Sequence, residues 1–468
     1  MTKARFGLAV IGSGGAAFAA AIRARDLGAR VVMIERGVIG GTCVNVGCVP
    51  SKTLIRAGET RHAASSHPFA GVVTSADGVN LTAAVAQKDA LVESLRQSKY
   101  LDLVDEYGIE LIRGEARFAA PDAVHVAGCE VPTDRVVVAT GARPDLPEIP
   151  GLATADPLTS TTALELGKVP RRLVVLGGGY IALELGEFFA HLGSEVTLIA
   201  RSGVMRHEEP QVGETIGRVL ADGGLEVVSH VAVERVESRG AEVAVITRAA
   251  DGVDKRHVGD RILVATGRRA NTEALDLPTA GITTDPRGSI RVGQDLQTAN
   301  ARVWAAGDVV AGSPQFVYVA AHMGATAAQN ALTGAHETID YTALPRITFT
   351  TPQIAAAGLT DAEAKRRDID CSCRTLPLSA VPRALVNHDT DGFIKLVIER
   401  HTRRLIGATA VAEGAGDVIQ AAVYAIQFGL TIDQLAATWA PYLTMSEGLK
   451  LAAQVFDRDV TKLSCCAA

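Results

Sequence analysis

No charge of one sign dominates this chain of 468 residues: 46 Lys and Arg stand against 52 Asp and Glu, a net charge of −6. Without a basic excess, nothing advertises nucleic acid or an anionic membrane surface, and a small partner is expected. Cysteine is sparse. Its seven residues are too few and too unevenly spaced for a disulfide scaffold, and the odd count leaves at least one thiol unpaired, so a reducing cytoplasm is expected. Long apolar runs are absent too: no segment reaches the ~18 uninterrupted apolar residues of a membrane span. Lys3, Arg5 and the run Phe6 to Ile11 imitate a secretory signal, but Gly12, Gly14 and Gly15 interrupt it, and cleavage near Ala21 would destroy a nucleotide motif. What remains, 47% apolar and 21% charged, is ordinary globular composition with length for roughly three domains of ~150 residues.

Against that background the segment Gly40-Gly41-Thr42-Cys43-Val44-Asn45-Val46-Gly47-Cys48-Val49-Pro50-Ser51-Lys52 is the most informative part of the chain. In a regular helix five positions turn roughly 500° and leave side chains about 140° apart, so Cys43 and Cys48 need a distorted turn to meet. Gly40, Gly41 and Gly47 permit one. Pro50 suits the first turn of a following helix, whose N-terminal end favours a thiolate. The pattern is that of a redox dithiol.

Two dinucleotide-binding units flank the dithiol. Phe6 to Ile11, Ala16 to Leu27 and Val31 to Ile34 are expected as strand, helix and strand, with Gly12-Ser13-Gly14-Gly15-Ala16-Ala17 between the first two. The glycines allow a tight turn and close approach of a pyrophosphate to the helix N-terminus, and Glu35 can accept ribose hydroxyls. Leu173 to Leu176, a helix to about Leu192 and Val196 to Ile199 repeat the pattern around Gly177-Gly178-Gly179. There no acid ends the second strand. Arg201, with Arg206 nearby, suits a 2′-phosphate, so NADPH is expected rather than NADH. Val136 to Pro144 and Ile262 to Arg269 match each other and would close the two units.

These motifs resemble the flavin-dependent pyridine nucleotide-disulfide oxidoreductases. The resemblance implies an α/β fold with two Rossmann-type dinucleotide-binding domains and a C-terminal α+β dimerisation domain. Expected boundaries are 1–150 and 271–343 for the FAD-binding parts, 151–270 for the NADPH-binding domain and 344–468 for the dimerisation domain with its tail. In that last part Arg346 to Thr351 and Phe393 to Ile398 are expected as strands, with helices near Val418 to Phe428 and Met445 to Val455. The resemblance also places FAD at the first site, with Asp308 on the flavin's polyol chain and backbone contacts at Ala17, Thr42, Ala116 and Val317. Glu184 would pair with Lys52 beside the flavin, and Tyr180 would gate the nicotinamide.

Two departures narrow the resemblance. Family members that act on disulfides carry a His where this chain has Tyr442, and a phenol with a pKa of about 10 shuttles protons poorly near neutrality. The chain also ends Leu463-Ser464-Cys465-Cys466-Ala467-Ala468, two neighbouring thiols better suited to a soft metal ion than to a strained bond with each other. Together with Cys43 and Cys48 these features resemble the catalytic core of the mercuric reductases, many of which carry an additional N-terminal metal-capture domain. The resemblance implies NADPH-dependent reduction of Hg(II) to Hg(0) in a homodimer. Hg(II)-thiol complexes would pass from Cys465 and Cys466 of the partner subunit to Cys43 and Cys48, with Tyr100 and Tyr442 flanking the ion. A thioredoxin reductase of the high-molecular-weight type would need the missing His, and a metal-sequestering flavoprotein would bind without turnover. Cys129 has no partner in the pattern, and Cys371 and Cys373 form a C-x-C in a polar stretch that is read as incidental, with weak metal binding as the minor alternative.

Overall fold

The computed structural model describes residues 5–240 and 242–462. Strand β1 (Phe6–Ile11) lies inside a five-stranded parallel sheet, between β2 (Val31–Glu35) and Thr133–Val138, with Glu110–Arg113 and Val303–Ala305 at the edges. Its side chains are buried on both faces, as a central parallel strand requires. Helix α1 (Gly15–Asp26) buries five alanines, Ala16, Ala17, Ala20, Ala21 and Ala24. Small side chains let another helix approach: a Cβ on Gly324, in helix Val317–Thr333, would stand 2.0 Å from the Ala16 carbonyl oxygen. The dithiol segment follows as α2 (Gly41–Asn45) and α3 (Cys48–Ser65).

The same architecture recurs. Strands β3 (Arg172–Leu176) and β4 (Glu195–Ala200), joined by helix α4 (Tyr180–His191), belong to a four-stranded parallel sheet completed by Glu226–Ser229 and Arg261–Val264. The repeat extends to atomic contacts at the two glycine turns. Gly12 (φ +112°) and Gly177 (φ +136°) would place a Cβ 2.3 Å from the Ala139 oxygen and 2.4 Å from the Ala265 oxygen. Those oxygens belong to the two Ala-Thr-Gly segments that match in sequence. At both sites the first glycine is needed for its φ and for this close approach.

The C-terminal part is a five-stranded antiparallel sheet in the order Pro345–Thr348, Gln353–Gly358, Leu405–Ala412, Phe393–Glu399, Cys371–Pro377. Helix Ala415–Gln427 covers one face with Val418, Ile419, Ala422 and Ile426. The last α-helix among the described residues runs Glu447–Gln454. The strand expected at Arg346 to Thr351 ends at Thr348, because the next residues turn away to meet α4. Among the described residues no helix is long and apolar enough to cross a membrane.

Candidate active site

Two helices, not one, bring the cysteines together. Gly40 (φ +104°) turns the chain so that a Cβ there would meet Val44 Cγ1 at 2.6 Å, and Gly41 (φ +64°) packs onto the phosphate loop, its would-be Cβ 2.5 Å from Gly14 Cα. Helix α2 stops after Asn45, Gly47 lies against the Thr42 carbonyl, and α3 restarts at Cys48. The break cancels the angular separation that a continuous helix would impose. Cys43 now donates a hydrogen bond to the Cys48 sulfur. That bond, with Lys52 nearby, outweighs burial and brings Cys48 down to about 7; the same bond, then burial, pushes Cys43 up. Cys48 also opens an 18-residue helix, where the positive end of the helix dipole favours an anion. The pair is therefore a thiolate with a protonated neighbour.

Lys52, one turn further along α3, sets its Nζ 2.6 Å from Glu184 Oε2 on α4. The other carboxylate oxygen of Glu184 accepts the Phe349 backbone N–H at 3.0 Å, and the Lys52 ammonium lies 4.7 Å from the centre of the Phe349 ring. One turn on, buried Glu187 accepts the Thr351 N–H on both oxygens, at 3.0 and 3.2 Å. Among the described residues it pairs with no Lys or Arg, and burial pushes it up to about 8. His191, 3.8 Å from Glu187 and stacked on His62, is held down to about 4, chiefly by burial.

A cavity of about 420 Å³ connects the dithiol to the glycine turn. Gly12, Gly14, Gly15, Glu35, Thr42, Cys43, Cys48, Lys52, Tyr180, Glu184, Asp308 and Val317 all line it. Ala116 lines an adjoining cavity that shares Glu35 and Thr42, whereas Ala17 is fully buried within the α1 core. The lining fits a long dinucleotide. Helix α1 starts at Gly15, and its N-cap Gly14 offers no side-chain cap, leaving the first N–H groups for an anion. Glu35 is fixed at the end of β2 by Ser13 Oγ and the Gly37 N–H, both at 2.6 Å. Further along, Asp308 is pushed up by burial and lies 3.6 Å from Arg268. Arg268 Nε and Thr140 Oγ1 are buried without a hydrogen-bond partner among the described residues, donors that a polyol or phosphate would satisfy.

The second glycine turn opens α4 in the same way: Gly179 provides no side-chain cap and is exposed. Arg201 immediately follows β4, and both Arg201 and Arg206 are exposed. Tyr180 projects from the first residue of α4 into the first cavity, its ring 6.3 Å from that of Phe316. It thus stands between the first cavity and the second glycine turn.

Tyr100 comes to the dithiol from a π-helical turn, Gln97–Leu101, with its ring edge-on to Phe18 at 4.9 Å. Burial, and the charge of Cys43 and Cys48 beside it, push its hydroxyl up. Tyr442 is exposed and does not line the cleft of its own chain. Cys465 and Cys466 lie outside the described residues. Sequence patterns missed Arg268, Phe349, Thr351 and Glu187. Arg268 sits inside the repeated Ala-Thr-Gly segment, which was a usable signal; the others act across some 165 residues and leave no local trace.

The family model described as pyridine nucleotide-disulphide oxidoreductase matches residues 6–324, and its dimerisation domain matches 344–453. The chain is 51% identical to a mercuric reductase of Staphylococcus aureus, over 99% of this chain and 84% of that protein. It is 49% identical to one from Streptomyces lividans, over 99% and 98%. The chain belongs to the pyridine nucleotide-disulphide oxidoreductase family, on its mercuric reductase branch. Among solved structures, the Cu(II) complex of the HOCl-induced flavoprotein disulfide reductase RclA from Escherichia coli superposes with a TM-score of 0.86 at 28% identity, covering 97% of this chain and 99% of that one. Membership brings FAD and NADPH as cofactors.

Proposed function

We infer that the chain reduces Hg(II) to Hg(0) with electrons from NADPH. The observation that carries this is the Cys43 and Cys48 pair, one sulfur near its thiolate form at neutral pH, at the end of a dinucleotide-shaped cleft. Bound FAD would supply the hydride-accepting chemistry towards NADPH and the two-electron reducing chemistry at the dithiol end. Gly12, Gly14 and Gly15 would hold its pyrophosphate, Glu35 its ribose and Asp308 its polyol. Gly177, Gly179, Arg201 and Arg206 would hold NADPH, with Tyr180 screening one nucleotide from the other. Lys52, locked by Glu184 and Phe349, places a positive charge where negative charge accumulates.

Hg(II) enters as a complex with two thiols. The Cys48 thiolate forms one S–Hg bond as the first thiolate leaves; Cys43 forms the second, and its proton goes to the departing sulfur. Soft Hg(II) suits this all-thiolate pocket. Reduction by two electrons returns both cysteines as thiolates and releases neutral Hg(0). Tyr100 borders the pair without competing as a ligand. We assign 1–150 and 271–343 to FAD, 151–270 to NADPH and 344–468 to dimerisation, in a cytoplasmic homodimer. Trp439 and Phe428, 97% and 75% exposed, give that domain the apolar rings a two-fold contact would cover. Across it, Tyr442 of one subunit would complete the other's site, with Cys465 and Cys466 of the partner subunit delivering the metal.

Mixing subunits tests the shared site. Cys43→Ala and the Cys465→Ala, Cys466→Ala pair should each depress NADPH oxidation driven by strongly chelated Hg(II). Subunit exchange between them should restore about a quarter of wild-type activity, since half the dimers become mixed and each holds one intact site. No recovery in demonstrably mixed dimers would contradict delivery across the interface.

A further inference from the structure

We propose that Cys371 and Cys373 form a second Hg(II)-binding site, a two-thiolate clamp on the outer strand of the C-terminal sheet, distinct from the redox dithiol. Strand β5 (Cys371–Pro377) is one of the sheet's two edge strands and, among the described residues, pairs only with Phe393–Glu399. Residues two apart in a strand share a face. Both thiols are free and half-exposed, and both turn toward Asp361: the Cys371 sulfur lies 3.9 Å from its carbonyl oxygen and the Cys373 sulfur 3.9 Å from its Oδ2. The two sulfurs thus converge on one residue from adjacent same-face positions.

The geometry also selects the ligand. Same-face neighbours in a strand are about 6.6 Å apart, whereas a disulfide brings Cβ atoms to about 3.8 Å, so the pair stays as thiols with room for an ion between them. Asp361 is already engaged by Lys395 Nζ at 3.6 Å and Lys365 Nζ at 3.5 Å. Among the described residues no group of three or more His, Cys, Asp or Glu is arranged to hold a metal. An ion demanding four ligands, such as zinc, is therefore poorly served, whereas Hg(II) is satisfied by two thiolates. Lys395 and Lys365 would stabilise the paired sulfurs. Until metal arrives, burial keeps the Cys373 thiol protonated, with Asp361, Glu209 and Cys371 adding to the effect of burial and Lys395 opposing it.

Loading needs no external acid or base. Two S–Hg bonds to the incoming thiols break, two to Cys371 and Cys373 form, and both cysteine protons leave on the released thiols. The site lies outside the nucleotide cleft, so the ion held there is stored, not reduced. Because binding is counted without turnover, this proposal stands or falls separately from the reductase assignment.

The test is equilibrium dialysis of the full-length, FAD-loaded protein against Hg(II) in excess glutathione, without NADPH, with mercury counted per protomer. The Cys371→Ser, Cys373→Ser double variant, and each single one, should hold one Hg(II) fewer than wild type. Cys129→Ser should lose none, the double variant should turn over within twofold of wild type, and Zn(II) loading should be the same in all. In the wild-type protein, Hg(II) should also shield Cys371 and Cys373 together from iodoacetamide, as read by peptide mass. Equal mercury loading in the double variant, or alkylation of both thiols undiminished by Hg(II), would overturn the proposal.

Discussion

The reactivity of Cys48 is set by one hydrogen bond more than by its place at a helix start. Cys43 donates that bond, Lys52 adds a positive charge, and together they bring the Cys48 thiol from 9.0 to about 7 against the cost of burial. In the dithiol-reduced enzyme, alkylation of Cys48 should rise through a midpoint near pH 7. Cys43→Ala removes the donor and should move the midpoint up by about one unit or more, each unit being about 1.4 kcal/mol. A midpoint unchanged in the variant would show that the bond is not the cause. The sequence declared this pair through its spacing and glycines, because only a broken helix lets two cysteines at that interval meet. It could not say which sulfur is the thiolate: that depends on Lys52 and on which residue opens α3.

At the scale of elements, α3 and α4 form the working core of the site. Cys48 and Lys52 project from α3, Glu184 and Glu187 from α4, and the turn after Thr348 is tied to both glutamates by backbone N–H groups. The nucleotide-binding elements were legible to within about a residue at each end. Helix α1 was expected at Ala16 to Leu27 and runs Gly15–Asp26; the glycine turns and apolar strands are local signals. The docking of Phe349 and Thr351 was not legible, and the strand drawn through them ran three residues past its end at Thr348, since β-rich residues there are drawn off by distant carboxylates. Glu187 supplies the prediction at this scale. Its carboxyl is raised from 4.5 to about 8, so the folded state keeps a proton that the unfolded chain releases. Stability is full below pH 4.5 and falls as pH rises towards 8, on the order of a few kcal/mol. Glu187→Gln stays neutral and can still accept the Thr351 N–H. Its melting temperature should decline less than wild type's between pH 5 and 9, and parallel curves would refute the assignment. His191, Glu184 and Glu59 face the same carboxyl; His191 is neutral throughout this range, because it is held at about 4.

Across the whole molecule, one duplicated nucleotide-binding unit serves two dinucleotides, and an antiparallel domain docks onto the second unit through Lys395 with Glu209 and Arg346 with Glu208. The dithiol sits where these parts meet. In the proposed reaction Cys43 and Cys48 are both electron acceptor and final metal ligand. That claim is tested most directly by anaerobic NADPH oxidation in excess small thiol, with volatilised mercury counted. The account predicts one Hg(0) released per NADPH consumed, no turnover with disulfide substrates, and loss of turnover in Cys48→Ala with FAD still bound. Turnover driven by disulfides and inhibited by Hg(II) would contradict it.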